Sequence, residues 1–189
     1  MRMKSTVAVL FLLAMATTTL ALWDKSPEQK RDEIRQMKNA TLAELYKLRP
    51  EAANLIKGAE GFAVFSTKGM KIMVAGTTSG KGVLVDQKTG QKTYMKMAQV
   101  NVGLGFGLQD ARLVFVFQDR KAMEEFTTQG WDFSGKGDAS VAAKGQGQGA
   151  AGALSFMPGV LVYQFTQNGL AASLTLQGTK FWADKDLNS

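Results

Sequence analysis

The chain of 189 residues carries 23 Lys+Arg against 16 Asp+Glu, 20 Gly, 3 Pro, and neither Cys nor His. Its length suits one domain with a sizeable core. Without Cys or His there is no disulfide, thiolate nucleophile, Cys/His zinc site, imidazole base or Ser-His-Asp triad, so any catalysis falls to carboxylates or lysine.

Met1 to Ala21 shows a basic start (Arg2, Lys4), an apolar run from Val7 to Ala16 and a small-residue approach at Thr19-Leu20-Ala21. This is the layout of a secretory signal peptide cleaved after Ala21, and its apolar core is shorter than the roughly 20 residues of a spanning helix. The expectation is an exported chain, periplasmic or associated with the cell envelope. No Cys stands at the cut, which excludes a lipoprotein. Loss of Arg2 and Lys4 leaves 21 basic against 16 acidic residues, a net charge of +5.

Residues 22–189 read as a single domain, helical over 26–58 and strand-rich over 59–183. Ser26 is a good N-cap, with Pro27 at the first helical position and Gln29 closing a capping box. Thr41 and Glu44 repeat the pattern, which predicts a second helix start. Pro50 opens a third, short helix that Gly58 ends. Beyond Gly58, strands are expected at Gly61 to Ser66, Lys71 to Ala75, Gly82 to Val85 and Thr93 to Met97, with a turn over Asp86 to Gly90. Val100 to Leu108 alternates as a further strand. Leu113 to Phe117 is apolar on both faces and so central in a sheet. Arg120 to Thr128 reads as a helix, and Val160 to Thr166 and Leu170 to Leu176 flank Asn168-Gly169, a hairpin signal. Ser134 to Ser155, rich in Gly, Ala, Ser and Lys, reads equally as a loop or a closely packed small-residue element. The expected fold is α+β, with N-terminal helices packed on a curled antiparallel sheet or partly closed β-barrel.

Two glycine patterns imitate nucleotide loops without their context. Gly76-Thr77-Thr78-Ser79-Gly80-Lys81-Gly82 has three residues between the first glycines where a P-loop has four, and Gly82 replaces the magnesium-binding hydroxyl. Gly103, Gly105 and Gly107 alternate within a strand pattern, baring one face for close packing instead of opening a helix. The carboxylates Asp110, Asp119, Glu124, Glu125, Asp132 and Asp138 are scattered, and Asp184 with Asp186 reads as a solvated tail. No catalytic constellation, cofactor fingerprint or metal site emerges.

Charge is more informative. Lys68, Lys71, Lys81, Lys88, Lys92 and Lys96 are opposed only by Asp86 between Gly61 and Lys96, while basic and acidic residues balance at seven each from Ala111 to Ser189. Each Lys near an anionic membrane contributes about 1 kcal/mol, so six could hold a protein there reversibly. Arg31, Arg35 and Lys38 add a basic face to the first helix at i, i+4 and i+7. A solvated surface, or a salt-bridged helix, would use the same residues. Nucleic acid is disfavoured, since the aromatics do not interleave with the basic run as a stacking platform. Asn39-Ala40-Thr41 matches the short glycosylation pattern.

Ala59-Glu60-Gly61-Phe62-Ala63-Val64-Phe65 and Gly80-Lys81-Gly82-Val83-Leu84-Val85 resemble the opening motifs of the SYLF lipid-binding domain. So do Gly103 to Gln109 leading to Val114-Phe115-Val116-Phe117, the segment Asp138 to Ala143, and Tyr163 to Leu170. Gly178-Thr179-Lys180-Phe181-Trp182 is similar to the ending of that family's bacterial, exported branch. The resemblance spans Thr41 to Asn188. It implies binding and not chemistry: a non-enzymatic protein without cofactor, associating with anionic phospholipid. The family supplies no catalytic residues, so head-group contacts rest on the cations just named. The alternative is a structural or partner-binding envelope protein that docks through residues 134–155.

Overall fold

The computed structural model describes residues 25–67, 77–100, 111–133, 144–145, 150–166, 169–171, 174–176 and 178–189. The expectations at Met1–Ala21, Lys68, Lys71, Lys71–Ala75 and the Gly103–Gly107 strip lie outside them. Helix α1 spans Pro27–Leu48. Its N-terminus is closed as expected: Gln29 N–H donates to Ser26 Oγ (3.2 Å), and Ser26 N–H donates to Gln29 Oε1 (2.9 Å).

The second start at Thr41 does not occur; α1 runs straight through it. Thr41 is buried, and its hydroxyl turns back to Met37 Sδ at 3.6 Å instead of capping a new helix. Glu44 reaches across to the sheet and accepts from Arg112 Nη1 at 2.6 Å. The glycosylation-like triplet therefore sits inside a helix with its threonine covered. Helix α2, Ala52–Lys57, ends at Gly58 as the composition foretold.

The strands are β1 (Gly61–Ser66), β2 (Thr77–Asp86), β3 (Lys92–Val100), β4 (Arg112–Phe117), β5 (Trp131–Asp132), β6 (Lys144–Gly145), β7 (Leu154–Met157), β8 (Val160–Thr166), β9 (Gly169–Leu170), β10 (Leu174–Thr175) and β11 (Thr179–Ala183), with α3 at Arg120–Thr128. Nine of them form an antiparallel sheet in the order β5-β11-β3-β2-β1-β4-β8-β7, with β9 on β8; β6 and β10 pair separately. Every residue of β4 is buried, between β1 and β8, which is why its sequence is apolar on both faces. Phe165 pairs with Leu170 and Thr166 with Gly169, whose φ of +107° suits glycine, so a hairpin forms with Gly169 already in β9. The expected second strand over Leu170 to Leu176 is instead the short β9 and a separate β10 that pairs with β6.

Each face of the sheet buries its own core. Outside, α1 and α2 cover Phe62, Val64, Val114, Val116 and Tyr163 with Leu45, Ala52 and Ile56. Inside lie Phe65, Phe115, Phe117, Phe126, Phe133, Phe156 and Phe181. Strands β5 and β7 stand at opposite ends of the strand order, yet Trp131 and Phe133 reach Phe156 at ring distances of 5.8 and 5.6 Å. The sheet therefore curls into a half-barrel whose rims meet through aromatic side chains. Curling this tightly needs a bare strip on the inner face, and β2 supplies it. A Cβ on Gly82 would stand 2.3 Å from Phe65 Cδ1, and one on Gly80 2.7 Å from Met97 Cγ.

Within 134–155, the described residues make β6, a short 3₁₀ turn at 150–152 and the start of β7. Tyr163 anchors that turn by donating its hydroxyl to the Ala151 carbonyl at 2.9 Å, and burial pushes the phenol up to about 12.

Candidate functional site

The cations singled out in the sequence fall mainly on the outer side of the sheet, where α1 crosses β2 and β3. Ile34 seats the helix there, packing with Val83, Tyr94 and Leu187. That placement turns the basic face of α1 towards the protein. Arg31 Nε donates to the Leu187 carbonyl (2.8 Å) and Nη2 to Ser189 O (3.0 Å). Arg35 Nη1 donates to the Tyr94 hydroxyl at 3.1 Å and also pairs with Glu28 and Asp32. Both arginines thus fasten α1 to β3 and the C-terminal tail. Lys38, one helical turn on, is half-buried and feels the charge of Lys92.

The strand lysines divide in the same way. Lys81 and Lys96 stand directly opposite in the β2–β3 register, on the face of Val83 and Tyr94. Two like charges at that spacing repel, and the structure relieves one of them. Lys96 Nζ lies 2.8 Å from Asp184 Oδ1 and 3.5 Å from Asp186 Oδ2, and the Asp184 contact raises the ammonium above the ordinary lysine range. This corrects the reading of residues 184–186 as a solvated tail. Asp184 is buried and accepts from Asp186 N–H within a 3₁₀ turn, and Asn188 bonds both the N–H (2.9 Å) and the carbonyl (2.8 Å) of Tyr94.

At the hairpin tip the six residues Gln87 to Lys92 are exposed. Lys88 is engaged all the same, 2.8 Å from Glu60 Oε2. Asp86 organises this end. Its Oδ1 accepts from Lys88 N–H (2.8 Å) and Thr89 N–H (3.1 Å), and its Oδ2 meets Arg120 Nη2 at 2.8 Å, tying the turn to α3. The Arg120 guanidinium, helped by those backbone donors, draws the carboxyl down to about 2 despite burial.

A pH dependence follows from that shift. An aspartate near 3.8 when unfolded and about 2 when folded adds stability that is fully present above pH 4 and lost as pH falls through 2. Asp86→Asn is expected to cost about 2 kcal/mol at pH 7, the worth of hydrogen bonds to a charged group. Urea unfolding of both proteins should show that gap closing towards pH 2; a gap independent of pH would refute the assignment.

Of the nine predicted cations, then, Arg31, Arg35, Lys88 and Lys96 are held by the fold, and Lys68 and Lys71 lie outside the described residues. Lys38, Lys81 and Lys92 have no ion pair within 4 Å among the described residues. Glu33 feels the charge of Lys81, but its contact is with Lys25. The sequence reasoning missed the acidic partners Glu60 and Asp184, which are distant along the chain. It also missed Tyr94, whose hydroxyl and backbone gather α1 and the tail.

Among the described residues no three acidic side chains converge as a metal site requires, and no helix is long and apolar enough to cross a membrane. Residues 98–189 match the Ysc84 family model, described as Las17-binding protein actin regulator. The beta cell expansion factor A of Aeromonas veronii is 33% identical over 170 residues, or 86% of this chain. The chain spans 60% of that relative's length. The family match begins at residue 98, so all nine cations, from Arg31 to Lys96, precede it.

Proposed function

We propose, from the match of residues 98–189 to the Ysc84 (SYLF) family model, that the chain is a non-enzymatic lipid-binding protein that settles on anionic phospholipid through α1 and the β2–β3 hairpin. The observation that supports this most is the trio Lys38, Lys81 and Lys92, cations with no ion pair within 4 Å among the described residues, where α1 crosses β2 and β3 beside Arg31, Arg35 and Lys96, whose charges are matched. A solvated surface gains from such matching, whereas unmatched ammoniums are drawn to an anionic membrane. Lysine suits the role, because a flexible point charge meets many head groups without demanding one geometry. Export to the cell envelope belongs to the same reading and rests on the Met1–Ala21 pattern.

Sedimentation with vesicles tests it. The protein should pellet with phosphatidylglycerol vesicles at low ionic strength and be released as salt rises, since the screening length shrinks from about 30 Å at 0.01 M to about 8 Å at 0.15 M. Equal pelleting with phosphatidylcholine vesicles, insensitive to salt, would contradict it. A second reading draws on the family's description as a binding regulator: docking on an envelope protein. Specific retention of such a protein by the immobilised chain, together with no vesicle binding, would favour that reading.

A further inference from the structure

Between the first half of α1, the start of β3 and the C-terminal tail lies an open groove of about 400 Å³. That volume falls within the range of small-ligand sites. Arg31 and Lys92 bring positive charge to it, the exposed Gln91 borders it, and Tyr94 and Leu187 give it an apolar side.

The groove is built before any guest arrives. Arg31 is braced on the Leu187 carbonyl and Ser189 O, and Asn188 is bonded twice to the Tyr94 backbone. Arg35 holds the Tyr94 hydroxyl from the helix side. These bonds fix the walls and leave Lys92 exposed at the first position of β3. Arg31 meets Glu28 only at 3.3 Å, and that carboxylate is largely in solvent. Lys38 is close by; burial and then the Lys92 ammonium lower its affinity for a proton. The fold thus sets two ammoniums near one another beside a braced guanidinium and gives Lys38 and Lys92 no carboxylate.

We infer that this groove binds the phosphate ester head group of an anionic lipid, with Lys92 as the contacting cation and Arg31 as a positioning residue. A phosphate offers several strong acceptor oxygens, which matches two neighbouring ammoniums better than a single carboxylate does. The apolar side suits the glycerol carbons, and the open mouth lets acyl chains leave towards a membrane. The inference rests on the lipid-binding reading and adds a shaped pocket to a surface that otherwise acts by charge alone.

Amide NMR with glycerol 3-phosphate, read beside vesicle sedimentation, tests it. Saturable shifts are expected at Lys92–Tyr94 and Leu187–Ser189. Lys92→Gln, an exposed substitution, should weaken them about fivefold, the loss of one lysine's contribution. Excess glycerol 3-phosphate should also release the protein from phosphatidylglycerol vesicles. Shifts spread evenly over all exposed lysines, or unchanged affinity in Lys92→Gln, overturn the groove and leave vesicle binding standing. Groove shifts in a protein that pellets with no vesicle overturn the assignment to a lipid and make a soluble phosphate ester the occupant.

Discussion

Replacing Phe115 with alanine is expected to lower stability by about 4 kcal/mol, the cost of removing a fully buried aromatic ring and leaving a cavity. Phe115 is 0% exposed on the central strand β4. Its ring lies 5.4 to 6.5 Å from those of Phe65, Phe117, Phe126, Trp131, Phe156 and Phe181. Those rings come from β1, β4, α3, β5, β7 and β11, so the truncation strikes a ring that touches both rims of the half-barrel. Domains of this kind hold only about 5–15 kcal/mol in total, so a substantial share of the protein's stability is at stake. Urea unfolding monitored by tryptophan fluorescence measures it. Leu55→Ala, half-buried on α2, is the comparison and should cost about 1 kcal/mol. If both substitutions cost the same, the interior of the half-barrel is not the main core.

Local signals were legible in the sequence where local physics decides. Ser26, Pro27 and Gln29 lie within one turn of each other, and the capping box needs nothing from elsewhere in the chain. Leu113 to Phe117 announced a central strand because a segment buried on both faces tolerates no alternation. Thr41 and Glu44 show the limit of such reading. They satisfy the same local pattern as Ser26 and Gln29, but burial of Thr41 and the bond from Glu44 to Arg112, 68 residues away, keep the helix continuous. The basic surface was legible in outline only. Charge counting found every lysine, but it could not show that Lys96 meets Asp184 or that Lys88 meets Glu60. Those pairings depend on sheet register and on the path of the tail, both products of long-range packing. The same holds for the groove, whose walls come from three segments far apart in the chain.

These pairings dictate which lysines should be changed to test membrane association. Reversing Lys88 or Lys96 strands Glu60 or Asp184 without a partner and confounds folding with binding. Lys38→Glu, Lys81→Glu and Lys92→Glu leave no bonded carboxylate behind, and carboxylates at positions 38 and 92 would repel no more than the two lysines do now. With about 1 kcal/mol per lysine lost and tenfold per 1.4 kcal/mol, the triple variant should bind anionic vesicles at least about 100-fold more weakly. Lys121→Glu, on α3 at the inner face of the sheet, is the control: its exposed pair with Glu125 at 3.9 Å is worth little, and the change should alter affinity by no more than about twofold.

The affinity of these two variants for phosphatidylglycerol vesicles at low salt, with far-UV circular dichroism verifying the fold, is the most direct measurement of the central claim. A loss of about 100-fold in the triple variant with Lys121→Glu near wild type is the predicted result. A triple variant that binds as tightly as wild type, or a Lys121→Glu protein that loses as much, would contradict a lipid-facing surface built by α1 and the β2–β3 hairpin.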